Sequence, residues 1–462
     1  MFEKIWQRHE VLAQTPARPA TIRIDLQLVH EAAYPQPLDA LRKQGTSIRH
    51  PNPTIVMLND VAPTRTEYSF CNIPIAVETA TSEVRELEEY CRRTGIELFK
   101  DENQHRGSIH VFGPETGITQ PGMTLVCDDS HASTHGAFGA LAFGIDHTEV
   151  GQVLATHCLR QFRPDTFAIN VNGKLNPGVT AKDLVLGITS QVGIFAGTDH
   201  VIEYRGETIR ALDMEGRMTV CNMSVETGAR ASLIAPDETT YTYLAGRPRS
   251  PVGDSWYEAL AEWRQLTTDP GAHFDRQLSF AAQSFEPMIA YGAHPAMAIP
   301  ISGVLPRISF DPAFARTLAC LGLEPGQSLR DQPIQTVYIG SCANGRLSDL
   351  LDAATVLHGQ KLAKGIRLII APGSRRVKVA AEAAGLDRIF RDAGAEWCEP
   401  GCSPCINTDH DPIPAGHYLL STGNRNCGGR RGGGPRTLLA SPLTAAASAV
   451  RGKVTDPREF VS

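Results

Sequence analysis

The chain has 462 residues, 44 of them Lys or Arg and 50 Asp or Glu, giving a formal net charge of −6. That length predicts two to four domains, and the charge balance excludes a general attraction to nucleic acid or an anionic membrane, so any anion must be held locally. Eleven cysteines without disulfide-framework spacing, a charged start (Met1-Phe2-Glu3-Lys4-Ile5-Trp6-Gln7-Arg8) and no apolar stretch long enough to span a bilayer predict a cytoplasmic protein with free thiols.

In chain order, Met123-Thr124-Leu125-Val126-Cys127 reads as a strand that opens into Asp129-Ser130-His131. The Gly/Ala-rich run from there to Gly144 predicts a closely packed helix. Phe167-Ala168-Ile169-Asn170-Val171 and His200-Val201-Ile202-Glu203-Tyr204 carry strand signals. Thr336-Val337-Tyr338-Ile339-Gly340 predicts a buried strand, followed by Leu347, Leu350, Leu351, Ala354 and Leu357 at helical spacing. A second strand from Ile366 to Ala371 leads through Pro372-Gly373-Ser374 into a helix-prone run, Arg376 to Ala384. This alternation predicts an α/β fold with Cys342 at the carboxyl end of a parallel strand, where open α/β sheets place their ligands. Ser441-Pro442 supplies a cap and first-turn pair for a helix ending near Val450.

Three cysteines form the most informative motif: Cys342 in Gly340-Ser341-Cys342-Ala343-Asn344-Gly345-Arg346, and Cys402 and Cys405 in Gly401-Cys402-Ser403-Pro404-Cys405. A [4Fe–4S] cluster is normally held by four cysteines, so three thiolates leave one iron open to a substrate. Taken alone, Cys402-x2-Cys405 also fits half a zinc site, a redox dithiol or two packed thiols. A second such pair is missing, which weakens zinc, and Pro404 with Asn407-Thr408-Asp409 suggests a loop where a redox motif should open a helix. Cys398 offers another triad, Cys398-x3-Cys402-x2-Cys405, while Cys71, Cys158 and Cys320 are expected to be small buried hydrophobes. Downstream, Ser421-Thr422-Gly423-Asn424-Arg425-Asn426-Cys427-Gly428-Gly429-Arg430-Arg431 sets guanidinium groups on a glycine-rich turn suited to clamping carboxylates. Its glycine-arginine stretch superficially resembles nucleic-acid-binding segments but lacks their aromatics. His131 and His135, four apart, read either as a helical metal pair or with His131 in a hydrogen-bonded cluster with Asp129 and Ser130.

These motifs, together with Arg23-Ile24-Asp25, Leu28-Val29-His30-Glu31 and Ser133-Thr134-His135-Gly136-Ala137-Phe138-Gly139-Ala140, resemble the aconitase superfamily nearly end to end, and within it the isopropylmalate isomerase (3-isopropylmalate dehydratase) large subunits. The resemblance implies an aconitase-like fold of three α/β domains around an iron–sulfur cluster, drawn here as 1–165, 166–290 and 291–462. It implies that the swivelling domain is absent and is supplied by a separate small subunit. It implies one 4Fe–4S cluster per chain, held by Cys342, Cys402 and Cys405 with one substrate-binding iron, leaving Cys398 as a packed neighbour. His110, Asp129, His131 and Glu226 are the implied catalytic groups, and Ser130, Asn222, Arg425 and Arg430 the implied substrate contacts, with His135 read as structural or as a support behind the reacting groups and Arg431 and Arg436 as structural or surface charges.

The implied activity is a hydro-lyase acting on a hydroxy-dicarboxylate, interconverting 2- and 3-isopropylmalate in leucine biosynthesis. Related dehydratases of homocitrate, citramalate, methylcitrate or phosphonate analogues are the alternative, and a catalytically silent iron–sulfur sensor or RNA-binding protein is the rival from another class. Neither a membrane nor a nucleic acid is an expected partner. One departure stands out in Leu58-Asn59-Asp60-Val61-Ala62-Pro63-Thr64, where Asn59 and Asp60 replace the family's Asp-His pair. Asp60 thereby becomes a candidate acid for the departing hydroxyl. Lesser departures are Ala343, Gly345 and Cys427.

Overall fold

The structure, a computed structural model, describes residues 1–30, 48, 51, 53–58, 76–99, 107–307, 312–401, 413–426 and 434–461. It is mixed α/β and falls into two compact units. The first comprises the described residues of Met1–Val61, Phe70–Val171 and Gly197–Phe280; the second comprises those of Asn172–Ala196 and Ala281–Ser462. The three-part division at 165 and 290 is a different partition of the chain.

In the first unit a five-stranded parallel sheet runs in the order Glu97–Phe99, Thr54–Met57, Leu26–His30, Thr124–Cys127, Leu141–Gly144. Its strands are short apolar runs, and Leu28, Met57, Leu125 and Cys127 pack with Ile109 and Phe112 into one core. Burial on both faces is what a parallel sheet demands. In a second sheet, Ala231–Ile234, His200–Arg205 and Asp165–Asn172 pair in parallel, with Arg276–Ala281 beside them. The predicted strands at 123–127, 167–171 and 200–204 are all present.

The Gly/Ala-rich run departs from expectation. Ser130–Phe138 is a tight 3₁₀ helix that ends at Gly139, and the chain then forms the strand Leu141–Gly144. Gly136 explains how closely this helix lies to its neighbour: a Cβ there would stand 1.7 Å from the Ser232 carbonyl oxygen, so only hydrogen fits.

In the second unit a seven-stranded sheet runs Ala298–Pro300, Met288–Ala290, Arg436–Leu439, Tyr418–Ser421, Thr336–Ile339, Arg367–Ile370, Glu396–Trp397. The first two strands are antiparallel additions to a parallel set of five. The predicted helices follow as Leu347–Leu357, Arg375–Ala383 and Pro442–Arg451, the last capped by the Ser441 hydroxyl accepting from the Thr444 N–H. Helix Ala181–Val192 begins with a reciprocal cap: Asp183 accepts from the Thr180 N–H and hydroxyl at 2.9 and 2.8 Å. Asp183 also accepts from the Met288 N–H at 2.8 Å. Burial pushes its carboxyl up to about 6, against these hydrogen bonds.

Two cysteine expectations need correction. Cys158 is only partly buried and Cys320 is exposed, because each lies on the outer face of a peripheral element. Cys71 lies outside the described residues. Cys398 is buried with Tyr338, Ile369 and Leu419, its thiol directed to the Glu396 carbonyl at 3.7 Å.

Candidate active site

The first unit holds an imidazole–carboxylate cluster at the carboxyl end of strand Thr124–Cys127. Asp129 caps the 3₁₀ helix, its Oδ1 accepting the His131 backbone N–H at 3.0 Å. The same oxygen lies 3.1 Å from His131 Nδ1 and accepts the Ser130 hydroxyl at 3.4 Å. Its Oδ2 lies 3.2 Å from Nε2 of His110, the second residue of helix Ile109–Thr116. Burial alone would raise the Asp129 pKa, but the charge of His131 and the hydrogen bonds from both imidazoles outweigh it and hold the carboxyl well below its ordinary range.

An ionised carboxylate only accepts, and this fixes the order of protons along the network. His110 Nε2 and His131 Nδ1 both donate to Asp129. In neutral His110, Nδ1 then accepts from His135 Nε2, 3.2 Å away. His135 Nδ1 in turn accepts the Thr119 hydroxyl at 2.7 Å. On the other side, His131 Nε2 faces Glu226 Oε1 at 3.6 Å. The wire therefore runs Thr119, His135, His110, Asp129, His131, Glu226.

His135 was expected as a structural residue or a support behind the reacting groups, and it stands behind His110; the helical metal pair with His131 is not what the described geometry shows. The two rings serve opposite arms of the same wire. Gly113 makes this possible, since a Cβ there would meet His135 Cε1 at 2.9 Å. Asn222 is fully buried, and its amide donates to the Thr134 hydroxyl at 2.9 Å, which itself donates to the His131 carbonyl at 2.6 Å.

In the second unit, Cys342 lies just beyond strand Thr336–Ile339, as expected, in the short helical turn Ser341–Asn344. Ser341 holds φ of +79°, a left-handed conformation that costs a side-chain-bearing residue energy, and its hydroxyl accepts the Ala343 N–H at 3.1 Å. Cys342 is buried, and its sulfur accepts the Asn424 amide at 3.2 Å. The turn carrying Asn424 follows the neighbouring parallel strand Tyr418–Ser421 and is fastened twice. The Thr422 hydroxyl exchanges hydrogen bonds with the Gly340 N–H and carbonyl at 2.9 and 3.1 Å. Buried Lys182 donates to the carbonyls of Thr422 and Gly423 at 3.2 and 2.6 Å. Arg425, next along, is half-buried.

Asp60, Cys402, Cys405 and Arg430 lie outside the described residues. Sequence reasoning passed over Thr119, Asn424 and Lys182. Asn424 alone had a visible signal, its place beside Arg425 in the arginine motif. Among the described residues no helix is long and apolar enough to cross a membrane.

Comparison with known proteins places this geometry in a family. The family model of the aconitase family (aconitate hydratase) matches residues 3–452. The 3-isopropylmalate dehydratase large subunit of Roseiflexus castenholzii is 52% identical over 467 residues, covering 100% of this chain and 99% of that protein. The proteins of the same name from Anaeromyxobacter dehalogenans and Solibacter usitatus are 51% and 49% identical, each covering 100% of this chain and 97% and 99% of their own lengths. The solved holo-form structure of Thermococcus kodakaraensis aconitase X is similar over 87% of this chain and 84% of that one, with a TM-score of 0.45 at 14% identity. Matched through almost its whole length by the family model and by relatives that share half its residues, the chain belongs to the aconitase family and is a hydro-lyase.

Proposed function

We propose that this chain is the large subunit of a 3-isopropylmalate dehydratase, interconverting 2- and 3-isopropylmalate with one 4Fe–4S cluster and a separate small subunit. The observation that carries the reading is the wire ending at His131 and Glu226, a prebuilt device for holding and moving one proton. The large-subunit relatives, matched over their full length, support the substrate and the partner. The three-domain division at 165 and 290 belongs to the same reading.

Cys342 fits its part in holding the cluster. Its sulfur is buried at a strand end and already accepts an amide N–H, which favours the thiolate form a metal requires. Cys402 and Cys405 would complete the ligand set. When bound, the cluster supplies a Lewis-acid iron for the substrate hydroxyl and a neighbouring carboxylate.

The chain's own groups do the rest. Asp129 stays ionised, fixes the Nδ1–H tautomer of His131 and leaves Nε2 to share a proton with Glu226. That pair takes the proton from carbon in one direction and returns it in the other. His110 and His135 hold Asp129 in place and spread its charge. Ser130, Asn222, Arg425 and Arg430 hold substrate oxygens, and Asp60 takes the family histidine's part as acid to the departing hydroxyl.

The test is anaerobic reconstitution with iron, sulfide and the small subunit, followed by a panel of hydroxy-acids. Turnover of 2-isopropylmalate above citramalate, homocitrate and methylcitrate is expected. Preference for another member would transfer the assignment to that substrate, the outcome the Asn59-Asp60 departure would then explain. Absence of iron–sulfur absorbance would remove the proposal, and tight salt-sensitive RNA binding without turnover would favour the sensor rival. Asp60→His then asks whether the departure sets rate or specificity.

A further inference from the structure

The guanidinium of Arg346, four residues after Cys342, is 1% exposed, yet its Nε and Nη2 have no hydrogen-bond partner. Only Nη1 is engaged, donating to the Ala343 carbonyl at 2.6 Å. The Asp349 carboxylate is close in sequence but serves the turn: its Oδ2 accepts the Arg346 backbone N–H and its Oδ1 the Asn344 amide, both at 2.9 Å. Among the described residues no carboxylate accepts a hydrogen bond from Nε or Nη2 of Arg346.

A buried guanidinium is always charged, and leaving it without an anion is strongly unfavourable. The open edge is also the one with recognition geometry. Nε–H and Nη2–H are parallel donors on one side of the guanidinium, spaced to match two oxygens. Arg367 uses this same edge on both oxygens of Glu396, at 2.7 and 2.9 Å, and Arg92 does so on Glu89. On Arg346 the edge is buried, preset by the Ala343 contact and left open, in the turn that carries Cys342.

We infer that Arg346 is an anion fork: its Nε/Nη2 edge takes a resident anion offering two acceptors, either a carboxylate of the hydroxy-acid substrate or a sulfide edge of the iron–sulfur group. The inference rests on the hydro-lyase reading for the source of the anion. The fork places a fixed positive charge in the turn that carries Cys342, and Lys would not reproduce its two-pronged geometry.

The experiment uses the reconstituted holoenzyme, Arg346→Gln and Arg346→Lys, with isopropylsuccinate as an unreactive dicarboxylate probe. If the anion is the substrate carboxylate, the probe's Kd weakens by about 10- to 100-fold in Arg346→Gln, Arg346→Lys recovers only part, and the EPR spectrum without probe is unchanged. If it is sulfide, the spectrum and the reduction potential move in both variants while Kd holds. Unchanged Kd, spectrum and potential in Arg346→Gln at wild-type iron content overturn the inference. Should the variants fail to fold, a crystal structure of the wild-type holoenzyme with the probe decides. Acceptor oxygens of one anion within about 3 Å of the two nitrogens, or sulfide within about 3.5 Å, support the fork, and a water alone or a carboxylate of the chain overturns it. Failure of the hydro-lyase reading is a separate result, seen as wild-type protein that turns over no member of the panel.

Discussion

The imidazole–carboxylate cluster of the first unit and the cysteine turn of the second are built on opposite plans. The cluster is bonded internally from Thr119 to His131 Nδ1, with Asp129 ionised at its centre, and only its last step, His131 Nε2 to Glu226 at 3.6 Å, exceeds hydrogen-bond distance. The cysteine turn is bonded within itself through Ser341, Arg346 and Asp349 and tied to the neighbouring strand end by Thr422, yet it keeps a strained Ser341 and an open Arg346 edge. On the proposed reading, proton handling is largely preorganised in the bare chain, whereas the cysteine turn awaits a bound group. Strain and unsatisfied donors gather where a ligand is to supply the missing partners.

The contrast can be broken most sharply at Cys342. Cys342→Ser is expected to lose iron and to lower kcat by about 10⁴, since several kcal/mol of Lewis-acid assistance disappear; iron content and visible absorbance check it. Asp129→Asn should do the reverse, leaving iron content intact while kcat falls by about 10³ through the wrong tautomers of His110 and His131. If both variants lost iron equally, the two regions would not be separable.

Asp183 sharpens the comparison through stability. Its carboxyl is raised to about 6 in the folded chain, so the folded state binds that proton more tightly than the unfolded chain. Its favourable contribution is present below about pH 4 and is lost as pH rises to about 6. Asp183→Asn does not titrate, so its stability relative to wild type should rise by up to about 3 kcal/mol across that window, read by denaturant unfolding. Asp129 has the opposite sign: its pKa is lowered, so its contribution holds above about pH 4 and is lost on further acidification. The smallest effect is expected from His135→Gln, which touches the reacting groups only through His110. A fall of about tenfold in kcat, with a shifted pH profile and unchanged iron, would distinguish positioning from packing.

Much of this was legible in the sequence where chemistry and apolar periodicity coincide. The strand before Cys342, the helix after it and the strand leading into Asp129 are short apolar runs bounded by turn residues, and they form as read. The strand Leu141–Gly144 was hidden inside a Gly/Ala-rich run that looks helical by composition. Its identity is set by pairing with Thr124–Cys127, a tertiary fact. The supporting place of His135 was legible, but its partners Thr119 and His110 were not, being 16 and 25 residues away, and its room depends on Gly113. Arg346 reads in sequence as an ordinary charge in a turn. Only its burial and bond inventory reveal the open edge.

The far end of the wire has a consequence of its own. Thr119 is fully enclosed, and its hydroxyl hydrogen is committed to His135 Nδ1, while the Asp129 side chain is 28% exposed. No proton can drain to water through the threonine. On the proposed reading that arm is a blind alley that polarises without conducting, and hydrogen exchanged with solvent leaves by way of Asp129, the more exposed of the cluster's two carboxylates.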